Sequence, residues 1–193
     1  MQRYGTSAGV PARRAAGGFE VLALLIGVMW VSEIVDTALN NQLDQYGIIA
    51  RELRGLPGIV LAPFLHLGFG HLIANTIPLA MLGTLIAFGG ARRLFSVTVI
   101  VVLLGGFGTW LLSPPNSVTI GASGLVFGYA GYLVSRALFT RRFGQFVIGV
   151  AVVLIWGGAL LSGLVPQEGI SWQGHLCGGI AGIIAAAMLG RDR

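Results

Sequence analysis

The sequence predicts an all-α membrane protein, a bundle of six transmembrane helices with both termini in the cytoplasm. Of its 193 residues, 55% are hydrophobic and 10% are charged, whereas roughly a quarter are charged in an ordinary soluble domain. The mean hydropathy is +0.84, and no charge interrupts residues 55–91 or 94–135. A soluble fold of this size cannot bury so much apolar surface. The apolar runs are continuous rather than alternating, which favours helices over a transmembrane barrel.

The first predicted span is the weakest, because Glu20 lies near its start and Glu33 and Asp36 lie near its end. After a polar stretch comes the apolar run 55–70, which contains two prolines. This run is shorter than the ~20 residues of a typical span, and proline breaks helices. We therefore expect the first loop, about residues 40–70, to lie partly in the membrane.

The later spans are bounded by arginines and by helix-breaking residues. Arg92 and Arg93 stop the second span, the Ser-Pro-Pro-Asn-Ser cluster at 113–117 ends the third, and Arg136 closes the fourth. The fifth ends before Pro166. Prolines and small polar residues in such clusters favour turns over helix. The predicted spans are residues 16–39, 71–91, 94–112, 123–136, 146–165 and 174–190.

The arginines orient this bundle. All twelve cationic residues are arginine, and the net charge is +5. Ten of them fall on one side of the predicted bundle, which leaves only Arg51 and Arg54 on the other. Because cytoplasmic loops collect Lys and Arg, we expect segments 1–15 and 191–193 to be cytoplasmic. They flank a single domain, residues 16–190, whose surroundings are a lipid bilayer rather than nucleic acid.

Polar residues gather where the second, fourth and sixth spans begin. His71 and Asn75 lie in the second span, Ser123 opens the fourth, and His175 opens the sixth. At about 1.5 Å per residue, Ser123, Asn75 and His175 each lie roughly 20–25 Å from the arginine that closes their helix. In a hydrocarbon core of about 30 Å they share one depth. Ionisable groups at such a depth are costly and indicate function.

Glycines allow two of these spans to approach closely. The sixth span carries a small residue at every fourth position, and the fourth span has two glycines at the same spacing. We expect this contact to bring Ser123 beside His175, a base that can take the serine proton. The alternative is that Ser123 is an ordinary packing residue between membrane helices. The glycines concerned are Gly174, Gly178, Gly182, Gly124 and Gly128.

His71 and Asn75 lie four residues apart and therefore share one helix face. Their side chains, with the backbone N–H of Ser123 at a helix start, are suited to stabilise the oxyanion of a tetrahedral intermediate. The alternative is that the pair makes hydrogen bonds between helices without a chemical role.

Three motifs follow one another in the chain: His71-Leu-Ile-Ala-Asn75, Gly121-Ala122-Ser123-Gly124 and His175-Leu-Cys-Gly178-x-x-x-Gly182. Together they resemble the rhomboid intramembrane serine proteases over about residues 63–190. The resemblance implies a six-helix core in which Ser123 is the nucleophile and His175 the general base, without an acidic third member. It also implies an oxyanion role for His71 and Asn75. The expected activity is cleavage of transmembrane protein substrates near the outer leaflet through an acyl-enzyme, with no metal or other cofactor.

Two features depart from the family pattern. Many members have tyrosine four residues after the nucleophile, packed on the catalytic histidine, whereas this chain has Phe127. We expect the stacking to persist without the hydroxyl. The Trp-Arg pair that is common in the family's first loop is absent, which leaves Arg51 and Arg54 as the cations there.

Other interpretations use different residues. Glu33 or Asp36 could orient His175 as a triad acid, although capping first-loop amides or facing the water interface explains them more simply. Cys177 could serve as a thiol nucleophile, but position i+2 from His175 points to another helix face. We therefore expect Cys177 to be a packing residue.

A metal site formed by the three histidines is a further alternative, in a metalloprotease or a metal transporter. It would use His66, His71 and His175, but the sequence has no H-E-x-x-H motif and no carboxylate beside these histidines. An inactive relative that binds membrane proteins without cutting them also remains open. For a protease, we expect substrate to enter through a gap between the second and fifth spans, beside Trp156.

Overall fold

The computed structural model describes residues 9–190, which are mostly helical. Five helices have the length and hydropathy to cross a membrane, which agrees with a multi-pass, mostly helical membrane protein. The fourth predicted span is not among these five helices, because its glycines, tyrosines and Arg136 lower its mean hydropathy. A sixth crossing therefore remains a prediction. The long helices are α1 (Gly9–Ala38), α3 (Gly68–Ala87), α4 (Ala91–Ile100) continued by a π-turn (Val101–Gly105) into α5 (Gly106–Leu112), α6 (Ser123–Thr140), α7 (Phe143–Gly163) and α8 (Trp172–Leu189).

The helix boundaries lie within a few residues of the predicted spans, except at the N-terminus. Helix α1 begins at Gly9, inside the segment 1–15 that was predicted to precede the membrane domain. Its apolar run continues to the acidic residues near its end, so the helix is not interrupted at Glu20. The rest of the predicted N-terminal segment, residues 1–8, and the predicted tail, residues 191–193, lie outside the described residues.

The first loop folds into several short elements. It contains β1 (Ile48–Ile49), the single-turn helix α2 (Gly58–Leu61) and 3₁₀ turns at Asp44–Tyr46, Leu53–Gly55 and Ala62–Phe64. Strand β1 pairs antiparallel with β2 (Val118–Thr119). This small ladder was not predicted, and it attaches the first loop to the segment that leads into α6.

Side chains and backbone groups dock the same loop onto the end of α5. The indole Nε1 of Trp110 donates to the carbonyl of Glu52 at 2.9 Å, and the guanidinium of Arg51 donates to the carbonyl of Ser113 at 3.0 Å. The backbone N–H of Arg51 also donates to the carbonyl of Trp110. These contacts fix the loop in a chain that lacks the family's usual Trp-Arg pair.

Helices α6 and α8 form the centre of the bundle and touch backbone to backbone. A Cβ atom added to Gly178 would overlap the carbonyl oxygen of Gly124, and one added to Gly182 would overlap the carbonyl oxygen of Gly128. The glycine spacing therefore does bring these two helices into direct contact. Their first turns lie side by side as a result.

The acidic residues at the end of α1 are buried. Glu33 and Asp36 are each 1% exposed, so the expectation that they face the water interface is wrong. Asp36 instead accepts a hydrogen bond from the backbone N–H of Leu43 at 2.6 Å, which agrees with the capping of first-loop amides. Asp44 belongs to the same cluster, because its carboxylate interacts with those of Asp36 and Glu33.

Replacing Asp44 with asparagine is expected to stabilise the protein at neutral pH. Burial, followed by the charges of Asp36 and Glu33, raises the pKa of Asp44 from 3.8 to about 6. An acid whose folded pKa is raised makes the folded state lose stability as the pH rises from about 4 to about 6. Asp44→Asn removes this loss, so its melting temperature should exceed that of the wild type by about 2 °C at pH 7.5.

The pH dependence of the difference tests its cause. The two melting curves should converge below about pH 4, where Asp44 is protonated in both states. Glu168→Gln removes an exposed carboxylate at the other end of the chain and serves as the matched control. A stabilisation by Asp44→Asn that stays constant between pH 4 and pH 7.5 would contradict the electrostatic explanation.

Candidate active site

Ser123 and His175 meet where α6 and α8 begin. Ser123 is the first residue of α6, and His175 lies in the first turn of α8. The Nε2 atom of His175 is 2.8 Å from the hydroxyl oxygen of Ser123, and the histidine is 8% exposed. The two side chains are therefore in direct hydrogen-bond contact inside the bundle.

A backbone carbonyl sets the tautomer of His175. Its Nδ1 atom is 2.7 Å from the carbonyl oxygen of Gly163, at the end of α7. Because a carbonyl can only accept, Nδ1 carries the hydrogen and donates it, and the lone pair of Nε2 faces the Ser123 hydroxyl. This is the form of imidazole that can take a proton from serine.

Phe127 fixes the plane of the same imidazole. The two rings stack with centroids 4.2 Å apart and an angle of 4° between planes, which is the stacking expected without the tyrosine hydroxyl. Gly163 lies against both rings: an added Cβ would be 2.7 Å from the ring of Phe127 and 2.9 Å from Nδ1 of His175. Gly163 was not identified from the sequence, because it acts through its carbonyl and its lack of a side chain.

Gly163→Ala is expected to reduce turnover by about 10- to 100-fold, because a displaced imidazole loses its alignment with the serine hydroxyl. The added methyl group has no free space beside Phe127 and His175. Gly158→Ala is the matched control on the same helix, since nothing lies within 4 Å of its Cβ position. Both variants would be compared by cleavage of a transmembrane reporter. Equal turnover in the two variants would contradict a role of Gly163 in aligning His175 with Ser123.

His71 presents a hydrogen-bond donor beside the turn that precedes Ser123. Its Nδ1 atom accepts the backbone N–H of Leu67 at 3.2 Å, so the neutral ring carries its hydrogen on Nε2. This edge of the ring faces Gly121, where an added Cβ would be 2.8 Å from Nε2. Gly121 has a φ of +108°, a conformation that residues with side chains rarely adopt. The glycine thus permits both the turn before Ser123 and the approach of His71.

Asn75 lies one turn along the same helix. Its amide nitrogen donates to the carbonyl of His71 at 2.9 Å, and a second N–H remains on that nitrogen. His71, Asn75, Ser123 and His175 all line one cavity of about 800 Å³. The four residues that the sequence selected therefore share a single open space, in which donors and the dyad can reach one bound group.

His66 supports the loop before Ser123. It is fully buried, and its Nε2 atom accepts the backbone N–H of Ala122 at 3.3 Å. Burial, and then the neighbouring His71, lower the pKa of His66 to about 4, so the ring stays neutral and able to accept. The sequence suggested His66 only as a possible metal ligand. Within residues 9–190, no group of three His, Cys, Asp or Glu is arranged to hold a metal ion.

The remaining candidates lie apart from the dyad. Glu33 and Asp36 interact with Asp44 at the end of α1, whereas Nδ1 of His175 is occupied by the carbonyl of Gly163. Neither carboxylate is hydrogen-bonded to the imidazole. Cys177 faces α5, where a Cβ on Gly108 would be 2.8 Å from its sulfur. It is therefore a packing residue, as the helix geometry predicted.

Residues 54–192 match the rhomboid domain. The chain belongs to the rhomboid family. This confirms the resemblance of the three motifs. An uncharacterized protein of Mycobacterium leprae is 41% identical over 186 residues, which cover 92% of this rhomboid chain and 73% of that protein. An uncharacterized protein of Mycobacterium tuberculosis is 40% identical over 186 residues, with 92% and 77% covered.

A further relative carries an activity in its name. Rhomboid protease GluP of Bacillus subtilis is 32% identical to this rhomboid over 174 residues. The match covers 88% of this chain but 34% of the Bacillus protein. The similarity therefore extends over most of this rhomboid and about a third of its relative.

Proposed function

We propose that this rhomboid is an intramembrane serine endopeptidase that cleaves transmembrane protein substrates near the outer leaflet. The observation that carries the proposal is the 2.8 Å contact between His175 and Ser123, made by an imidazole whose tautomer is set for proton transfer. Membership of a family that contains a named protease of Bacillus subtilis supports the same activity.

The proposed reaction begins with attack of the Ser123 oxygen on the substrate carbonyl carbon while Nε2 of His175 takes the hydroxyl proton. The negative charge that forms on the carbonyl oxygen is stabilised by the backbone N–H of Ser123, the free N–H of Asn75 and Nε2–H of His71. The imidazolium then gives its proton to the leaving amine, and the C–N bond breaks to form an acyl-enzyme. Water attacks this ester, His175 takes its proton and returns it to Ser123.

In this scheme two neutral groups, rather than the carboxylate of a catalytic triad, stabilise the protonated His175. During the reaction the imidazolium is stabilised by the carbonyl dipole of Gly163 and by the face of Phe127, which attracts a cation. A serine and histidine dyad without a carboxylate therefore has a physical basis here. The reaction needs no metal or organic cofactor.

We also propose that the chain crosses the cell membrane six times and has both termini in the cytoplasm. The arginine distribution supports this orientation: Arg92, Arg93 and Arg136 lie at the far ends of helices from the dyad, which leaves the cavity facing the outer leaflet. Water can then reach Ser123 from outside through that cavity.

Substrate helices are proposed to enter between α3 and α7. An apolar groove of about 510 Å³ lies between these helices, lined in part by Met81, Leu85, Ile155 and Trp156. Helix α7 packs chiefly against α6 and exposes most of its surface to lipid. It can therefore move with less loss of packing than the other long helices.

Cross-linking α3 to α7 is expected to block cleavage of a transmembrane substrate. Met81→Cys and Ile155→Cys place thiols on the two walls of the groove, and a short bifunctional reagent would join them. Cleavage of the reporter helix should fall at least about tenfold, while reaction of Ser123 with a small soluble probe should persist. The single-cysteine variants treated with the same reagent are the controls. Undiminished cleavage by the linked protein would place the opening elsewhere.

Labelling with a fluorophosphonate tests the activity most directly. The purified protein should form a covalent adduct through Ser123, because this reagent requires an activated serine. Ser123→Ala and His175→Ala should not be labelled, and Ser135→Ala should be labelled normally. Absence of labelling in the folded wild type would favour an inactive relative that binds membrane proteins without cutting them.

A further inference from the structure

A second polar site lies at the end of the bundle that is opposite Ser123. Arg136, near the end of α6, is 8% exposed, and its Nε atom has no hydrogen-bond partner among the described residues. The charges of Arg93, in the first turn of α4, and Arg142, just before α7, act on Arg136. Arg93 is half-buried and Arg142 is exposed, so the three guanidinium groups lead from the interior to the surface at this end of the bundle.

No carboxylate balances this charge in the part of the chain that the structure describes. Among the described residues, the ion pair that the structure contains joins Arg54 to Glu52, in the first loop and away from these arginines. Besides the two arginines, the group that acts on Arg136 is Tyr132, whose ring centroid lies 5.5 Å from the guanidinium carbon. The ring face attracts a cation but carries no net charge, so it does not supply a counter-charge. A buried charge normally requires a counter-charge.

The start of α4 adds to the positive potential. Gly90 precedes the helix with a φ of +94°, and no side chain caps its first turn. Backbone N–H groups at a helix start carry a partial positive charge and attract anions. Arg93 lies in this same turn, where a cation is unfavourable unless an anion is present.

We propose that Arg93, Arg136 and Arg142 form a binding site for a phosphate-bearing anion. Guanidinium groups match the geometry of phosphate oxygens and bind them through paired hydrogen bonds. At about 1.5 Å per residue, Arg136 lies roughly 20 Å along α6 from Ser123. This depth places the site where phospholipid headgroups meet the helix ends. The phosphate can come from an anionic lipid or from free phosphate in solution, and basic pockets between membrane helices favour the lipid.

Thermal unfolding of the purified full chain tests the site. The protein would be compared in nanodiscs of phosphatidylcholine alone and in nanodiscs with one third phosphatidylglycerol. We expect the anionic lipid to raise the melting temperature by about 4 °C, as for a ligand present at roughly tenfold its Kd. A parallel series in neutral detergent with inorganic phosphate identifies the source. A shift with phosphate as large as that with phosphatidylglycerol would assign the site to a soluble anion, and a shift confined to the lipid would assign it to a headgroup; either supports the site.

The sequence offers matched controls. Arg93 and Arg142 each follow an exposed arginine, Arg92 and Arg141. Arg93 and Arg142, rather than these neighbours, are the arginines whose charges act on Arg136. Arg93→Gln and Arg142→Gln should each lose at least half of the lipid-induced shift, whereas Arg92→Gln and Arg141→Gln should retain it. Arg136→Gln should abolish the lipid-induced shift. If this buried substitution prevents folding, Arg93→Gln and Arg142→Gln still test the site.

Three results would overturn the proposal. The first is an equal melting temperature in the two lipid compositions and no effect of phosphate. The second is an equal loss from Arg92→Gln and Arg93→Gln, which would indicate a general effect of surface charge. The third involves Asp192, whose carboxylate lies near the end of the sequence. If the lipid effect appeared only in Asp192→Asn, the chain's own carboxylate would be the counter-charge instead.

Discussion

Replacing Ser123 with alanine is expected to lower turnover of a transmembrane reporter by about 10⁴-fold or more, as for removal of the nucleophile from other serine proteases. His175→Ala should have a loss of similar size, because the two groups act as one unit. The double variant should therefore be no worse than either single one. Cleavage would be measured with purified protein in detergent or liposomes.

A serine on the same helix provides the control. Ser135 lies near the other end of α6, where its hydroxyl donates to the carbonyl of Gly131. Ser135→Ala should keep full turnover and cost at most about 1 kcal/mol of stability. Melting temperatures of all variants would show that loss of activity is not loss of folding. Turnover within about tenfold of the wild type in Ser123→Ala would remove the basis of the proposed mechanism.

Gly182→Ala is expected to have the largest effect on folding. The added Cβ would overlap the carbonyl oxygen of Gly128 and lie 2.9 Å from the backbone nitrogen of Tyr132. Backbone atoms cannot rotate away as a side chain can, so α6 and α8 would have to separate. We expect a loss of about 3 kcal/mol or more, which lowers the melting temperature by about 10 °C. Activity should fall with it, because the same contact holds Ser123 beside His175.

Gly179 is the matched control for this prediction. It lies on α8 between Gly178 and Gly182, but the nearest atom to its Cβ position is 3.9 Å away. Gly179→Ala should therefore be tolerated or be slightly stabilising, since alanine favours helix by up to about 1 kcal/mol over glycine. Equal destabilisation by Gly179→Ala and Gly182→Ala would show that close backbone contact at Gly182 is not the cause.

The sequence predicted the parts of the structure that depend on side-chain identity and helical period. Small residues at every fourth position predicted close contact of two helices, and this contact places Ser123 against His175. The apolar runs predicted helix positions because lipid forces backbone groups to bond within each span. Ser123, His175, His71 and Asn75 could be selected because ionisable and amide groups are rare among apolar residues.

Parts that depend on backbone groups were not predictable in this way. Any residue has a carbonyl, so the acceptor role of Gly163 leaves no pattern in the sequence. The docking of the first loop likewise uses the carbonyls of Glu52 and Ser113, and the two-residue strands are too short to show alternation. The burial of Glu33 and Asp36 depends on how the loop folds back over α1, which a linear pattern does not specify.

The hydrogen bond between His175 and the carbonyl of Gly163 joins the base to the last residue of α7. Its length is 2.7 Å, and a displacement of about 1 Å is enough to break such a bond. On the proposed entry route between α3 and α7, an outward movement of α7 would withdraw this acceptor from His175 and leave the imidazole free to rotate. Proton transfer to His175 would then be possible only after α7 has returned to its packed position, so that substrate entry and peptide-bond cleavage would be separated in time.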